Sequence, residues 1–267
     1  TSNFLIGDFT LSAKGLREFA EAQLPTGEFR AMAPTDYAVR LHDHALMWPV
    51  WLQKHVLHTD EKALVEGFAE NLKGLFDYFD SLVDPTLKVL GDPDMAVNRD
   101  IDIDVDGIDR CGISTALNSL YCHSLLRGKW LFDYIGEEEE AETCRQRASN
   151  IAHKIRGLTW NDEKKLFADS WFRGSQGERC SLQTNILAIY SGIAHPDIQQ
   201  EIFEKLLFDY APFYETPEDV TLDNPYFKYF LLETAFNCNR REWGLDFMRY
   251  YWGSVTQEGA TTWRSLC

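Results

Sequence analysis

Tyr226-Phe227-Lys228-Tyr229-Phe230-Leu231-Leu232-Glu233-Thr234-Ala235 is an apolar run near the end of the chain, and a second spans Trp243 to Tyr251. Trp252-Gly253-Ser254-Val255-Thr256-Gln257-Glu258-Gly259-Ala260-Thr261-Thr262-Trp263 follows them. In both runs the apolar residues recur at three- and four-residue steps, which predicts helices over about 225–238 and 240–252. The short connector between them makes them antiparallel neighbours. The glycine-bearing tail reads as a loop. A helix, a tight return, a second helix and then a loop is the unit from which the architecture is read.

The same unit recurs toward the N-terminus. Residues 10–24 carry Leu11, Leu16, Phe19, Ala20 and Leu24 near one face, and Pro25 and Gly27 end the run. Asp43 is placed to cap a helix reaching residue 58, bent at Pro49, which lacks an amide donor. Over 60–82, Leu64, Phe68, Leu72, Leu75, Phe76, Phe79 and Leu82 give the clearest helical period. Further helices are predicted at 114–135, 138–156, 181–193 and 197–211. The only strand signal is Trp160 to Asp169, a polar turn between apolar arms that reads as a short β-hairpin. Nine helices and one hairpin, with no linker, predict a single all-α domain over 1–267. The long loops at 25–42, 84–112 and 211–224 are expected to gather on one face, where loops carry function.

Composition narrows the partners. The chain has 267 residues, 45% hydrophobic and 13% aromatic, enough for one sizeable core. Its 26 Lys and Arg against 42 Asp and Glu give a formal charge of -16. Such a charge repels phosphate backbones and anionic lipid, so neither nucleic acid nor a membrane is an expected partner. A neutral sugar fits, as does plain solubility. The six cysteines show no paired zinc spacing, and no apolar run approaches a membrane span. The compartment stays open, with a soluble, secreted or periplasmic protein favoured over a cytoplasmic one.

Several segments point to a family when taken in order. They are Ala22-Gln23-Leu24-Pro25-Thr26-Gly27-Glu28-Phe29 running to Ala33-Pro34-Thr35-Asp36, Leu41-His42-Asp43-His44-Ala45-Leu46-Met47-Trp48, and Leu117-Asn118-Ser119-Leu120-Tyr121. The 160–169 hairpin, Ser181-Leu182-Gln183-Thr184-Asn185 and Gly259-Ala260-Thr261-Thr262 complete the set. From Phe19 to Thr262 the chain resembles the catalytic barrel of the bacterial α-L-rhamnosidases, glycoside hydrolase family 78. The resemblance implies an (α/α)6 toroid of six helix pairs, here incomplete because its first helices are not among the nine. It implies a glycosidase that acts on a terminal deoxyhexose by an inverting, two-carboxylate mechanism. The family's general acid lies upstream of the matched segments, and its base follows the Gly-Ala-Thr-Thr, where this chain reads Trp263-Arg264-Ser265. The catalytic residues are therefore unassigned, and further segments of a larger protein are expected partners. A non-catalytic sugar-binding or scaffold protein on the same barrel, and a trehalase-like or glucoamylase-like hydrolase, are the alternatives.

Candidate substrate contacts follow. Asp43 matches a family Asp that hydrogen-bonds sugar hydroxyls, with His42 in place of the aromatic residue that usually precedes it. Asp36 lies on the same loop, where a turn role is the alternative. Among the tryptophans, Trp263 on the terminal loop is the candidate for a flat apolar platform under a sugar ring. Asp102, Asp104, Asp106 and Gly107 match the first half of a calcium loop, although Ile113 stands where a bidentate Glu is needed. Those carboxylates are a candidate calcium site, Asp106 is alternatively a sugar contact, and a solvated acidic loop is the third reading. No other cofactor is expected.

Overall fold

The structure is a computed structural model that describes residues 5–37, 39–98, 108–208 and 226–257. Its helices are α1 (Thr10–Glu21), α2 (His42–Leu46), α3 (Trp48–Thr59), α4 (Lys62–Gly67), α5 (Ala69–Ser81), α6 (Thr115–Ile135) and α7 (Glu138–Thr159). They continue with α8 (Leu182–Tyr190), α9 (Pro196–Phe203) followed by a π-helical turn (Glu204–Phe208), α10 (Phe227–Asn237) and α11 (Arg241–Gln257). The expected hairpin is present: β2 (Trp160–Asn161) pairs antiparallel with β3 (Leu166–Phe167), Trp160 opposite Phe167. A second small sheet joins β1 (Ile113–Ser114), β4 (Ser170–Phe172) and β5 (Ser175–Gln176), with Ser114 opposite Ser170 and Trp171 opposite Gln176. Strands of two or three residues are too short to show an alternation in sequence.

Two expected helices are each divided. The 43–58 segment forms α2 and α3, and Pro49 lies in the first turn of α3. There the first amides have no intrahelical acceptor, so a proline starts a helix instead of bending one. Asp43 is not a cap: α2 is preceded by Leu41, and no side chain caps it. The 60–82 segment breaks at Phe68, just after Gly67, whose missing side chain makes it a weak helix former.

Burial separates inner from outer helices. Every side chain from Thr115 to Leu125 of α6 and from Leu182 to Ile189 of α8 is buried. A helix covered on all sides lies inside the fold. By contrast α7 buries one stripe, Ala141, Cys144, Ala148, Ile151, Ala152 and Ile155, and faces water elsewhere. Helix α6 packs on α3, α7 and α8; α8 packs on α10, and α10 on α11. The inner series α3, α6, α8, α10 is thus ringed by α1, α4–α5, α7, α9 and α11, the arrangement of a helical toroid. The core between the layers is aromatic, with Phe76, Phe79, Tyr121 and Phe132 at or near zero exposure. Each such side chain stabilises by roughly 1.5–3 kcal/mol before ordering entropy is subtracted. Close approach is built in at Gly128 of α6, where an added Cβ would lie 2.3 Å from the Phe76 ring.

Connection lengths alternate. Inner helices hand over to outer ones through a few residues, at 60–61, 136–137, 191–195 and 238–240. Outer helices return through long segments, at 22–41, 82–112, 160–181 and 209–226. The N-terminal ends of the four inner helices therefore share one end of the toroid with the described parts of the connections that lead into them; the 211–224 loop lies outside the described residues. Among the described residues no helix is long and apolar enough to cross a membrane.

Candidate functional site

At the loop end two inner helices begin with the same device. Ser114 caps α6 by accepting from the Leu117 amide at 3.2 Å, and Ser181 caps α8 by accepting from the Thr184 amide at 3.2 Å. Four residues after each serine stands an asparagine whose side-chain amide grips a passing backbone. Asn118 accepts from the Leu90 amide at 2.8 Å and donates to its carbonyl at 2.9 Å. Asn185 does the same to Phe167, at 2.8 and 3.0 Å. Leu90 and Phe167, in the connections that lead into α6 and α8, are thereby fixed against those helices.

Asp169 joins these parts. Its fully buried carboxylate accepts from the Ser181 amide at 2.8 Å, from the Ser181 hydroxyl at 2.7 Å and from the Asp109 amide at 3.1 Å. Burial raises its pKa, and the bonds from Ser181 and Asp109 oppose that shift. Its carbonyl also accepts from the Thr115 amide at 2.9 Å. Beside it Asp109 accepts from the Ser170 hydroxyl at 2.8 Å and from the Cys111 thiol at 3.4 Å. Burial pushes that thiol's pKa up, so it stays protonated. Gly112, at φ +56°, takes a left-handed conformation, and an added Cβ would stand 2.2 Å from the Trp171 carbonyl oxygen. Over this wall opens a cleft of about 610 Å³ lined by Ile108, Asp109, Cys111, Glu178 and Arg179. Its charged groups are of both signs, with Asp109 and Glu178 beside Arg110 and Arg179.

Among the described residues, those proposed from sequence do not line this cleft. Asp43 is 1% exposed and His42 is buried, its Nε2 2.9 Å from the Tyr78 hydroxyl and its ring against Phe79. Asp36 is fully exposed, 4.0 Å from the Arg30 guanidinium, which also donates to the Thr35 carbonyl at 2.7 Å. The structure thus buries His42 and Asp43 within α2 and leaves Asp36 exposed. Trp263, Asp102, Asp104 and Asp106 lie outside the described residues.

A polar network inside the ring was not anticipated. Lys54 of α3 pairs with both Glu233 oxygens at 3.1 Å and donates to the Tyr229 hydroxyl, both on α10. Tyr229 is hydrogen-bonded to Tyr190 of α8, and Tyr190 stacks on His123 of α6 with ring centroids 4.1 Å apart. Arg127 donates to His123 Nε2 at 3.1 Å. Burial, and then the Arg127 charge, hold the His123 pKa down to about 3. Burial, and then Glu233, push Tyr190 up to about 12. Tyr229 is raised still further by burial, Tyr190 and Glu233. Both phenols keep their protons as donors. The signal in the sequence was charged and histidine residues inside otherwise apolar helical runs, which is costly without partners.

The inner and outer helices together define a helical toroid of the (α/α)6 type. The family model described as Trehalase matches residues 110–214. Three solved structures share the fold. A GH78 family rhamnosidase of Bacillus sp. GL1 is 21% identical, with a TM-score of 0.85 over 97% of this chain and 26% of that one. The rhamnosidase from Klebsiella oxytoca with rhamnose bound is 18% identical, with a TM-score of 0.78 over 96% of this chain and 48% of its own. The alpha-L-rhamnosidase from Dictyoglumus thermophilum is 13% identical, with a TM-score of 0.60 over 94% and 27%. The resemblance to the rhamnosidase barrel read from sequence therefore extends through the fold, and the chain spans 26% to 48% of the length of these proteins. None of the curated proteins compared matches it by sequence.

Proposed function

We propose that this chain is barrel sequence of an α-L-rhamnosidase-type glycoside hydrolase, which takes a terminal deoxyhexose at the loop end and cleaves its glycosidic bond with inversion. The observation that carries the reading is the likeness of 97% of the chain to a GH78 rhamnosidase at a TM-score of 0.85. The composition of the loop end agrees with it. Inversion needs one carboxylic acid to protonate the leaving oxygen and one carboxylate to activate water, roughly 6.5–9.5 Å apart. Asp43, Asp109 and Asp36 are carboxylates of this end, with Asp43 assigned to the sugar hydroxyls. In this reading further segments of a larger protein complete the ring and supply catalytic groups. Calcium at Asp102, Asp104 and Asp106 remains a separate proposal for the acidic loop, checked by calorimetry with millimolar calcium.

The trehalase match over 110–214 favours a second reading, an (α/α)6 hydrolase acting on α-glucosides. Assays with p-nitrophenyl α-L-rhamnoside, p-nitrophenyl α-glucoside and trehalose separate the two. They are run with this chain and with any longer natural form that contains it. Rhamnoside turnover with β-L-rhamnose as the first product, seen by NMR, is expected. Turnover of glucosides alone moves the assignment to the second reading. Sugar binding without turnover in every form makes the protein a non-catalytic binder.

A further inference from the structure

We propose that Tyr226, Tyr229, Glu233 and Lys54 form a specificity-determining wall of the sugar site, which recognises two adjacent hydroxyls of a neutral pyranose. The inference rests on the carbohydrate reading above and deepens it. Tyr226, Tyr229 and Glu233 follow at i, i+3 and i+7, so they share one face of the α10 segment. Tyr226 stands just before α10 at the loop end, with its ring 6.2 Å from that of His44 in α2, next to Asp43. Tyr229 and Glu233 lie about 5 and 10 Å further down the axis. Lys54 faces them from α3. Although the helices belong to the inner series, Tyr226 is 45% and Tyr229 38% exposed, and the Lys54 and Glu233 side chains are 37% and 31% exposed. Their neighbours Lys228, Phe230 and Leu231 are buried. A solvent-open strip therefore descends from Tyr226, beside His44, along the α10 face that Lys54 of α3 meets.

The chemistry of the strip selects its ligand. One positive and one negative charge cancel, so the strip exerts no net pull on an anion. Lys54 only donates, Glu233 only accepts and the Tyr229 hydroxyl does both, which matches the donor–acceptor pattern of a vicinal diol. Charge-assisted bonds of this kind hold a hydroxyl more tightly than neutral ones. The Tyr226 and Tyr229 rings offer apolar faces to sugar C–H groups.

Calorimetric titration with L-rhamnose, D-glucose and D-glucuronate tests the wall, using the intact chain and the variants Lys54→Met, Tyr229→Phe and Glu233→Gln. Each variant is expected to weaken L-rhamnose binding about tenfold, the loss of one good hydrogen bond, and the parent should bind glucuronate no more tightly than glucose. Tyr229→Phe removes a single hydroxyl and serves if either charge variant fails to fold. Thermal melts run alongside. A lowered Tm with rhamnose affinity within twofold of the parent makes the strip a structural brace and overturns the inference alone. If neither this chain nor a longer natural form that contains it binds any of the three sugars, the carbohydrate reading fails and this inference falls with it.

Discussion

Lowering the pH from 6.5 to 4.5 should cost the folded chain about 2 kcal/mol at one side chain, His123. Its ring is buried against Tyr190, and its Nε2 accepts a hydrogen bond from Arg127, so the folded state requires a neutral imidazole. The folded pKa is held down to about 3, below the value of 6.5 for a free imidazole. As the pH falls the unfolded chain binds the proton first. The contribution is therefore complete above pH 6.5 and is lost progressively as the pH falls toward 3. At pH 6.5 the unfolded imidazole is half protonated, so the slope starts at about 0.7 kcal/mol per pH unit and approaches about 1.4 below pH 5.5, which over the two units gives the figure above. His123→Phe keeps an aromatic ring on Tyr190 and removes the titration. Urea unfolding of parent and variant at pH 6.5, 5.5 and 4.5 isolates the effect, because carboxylates common to both cancel in the difference. The variant loses the Arg127 bond and starts from a different stability, but its decline with acid should be shallower by that slope. Parallel declines would refute the reasoning, as would an imidazole resonance of His123 that titrates between pH 7 and 5.

Four further outcomes are expected. Gly128→Ala forces Phe76 away from an atom 2.3 Å distant, and overpacking of this kind costs about 1–3 kcal/mol, which exceeds the gain in helix propensity; a raised or unchanged Tm would contradict it. Asn185→Ala strands the buried amide and carbonyl of Phe167, so a loss of roughly 2–4 kcal/mol in chemical denaturation is expected, and Asn185→Asp should restore only the acceptor half. Asp169→Ala removes the acceptor of Ser181 and Asp109; amide exchange at both positions should accelerate together, whereas acceleration at Ser181 alone would deny the link between the two connections. Asp43→Asn keeps shape and removes charge, so sugar affinity should drop about tenfold; an unchanged affinity, read by calorimetry, would leave Asp43 a role in the fold alone.

Helix existence was legible because periodic burial is a local property. Leu72, Leu75, Phe76 and Phe79 mark one face whatever the face meets, and α5, α6, α7, α8 and α10 appear close to where spacing puts them. The alternation of short and long connections also stood in the sequence, whereas the 211–224 loop expected on the same face lies outside the described residues. The repeated serine with asparagine four residues later, Ser114 to Asn118 and Ser181 to Asn185, was readable but carries meaning only once a backbone is seen in its grip. Breaks at Met47 and Phe68, and strands of two or three residues, fall below what periodicity resolves. The site was less legible for a stronger reason. Asp43 with His42 was reached through a resemblance, whereas Lys54 meets Glu233 across 179 residues of chain and Asp109 meets Asp169 across 60. Sequence determined which segments coil and which faces are apolar, because those depend on near neighbours. Only the tertiary structure decided which charges cancel, which carboxylate is buried and which phenol keeps its proton, because Coulomb and desolvation energies depend on distance in space.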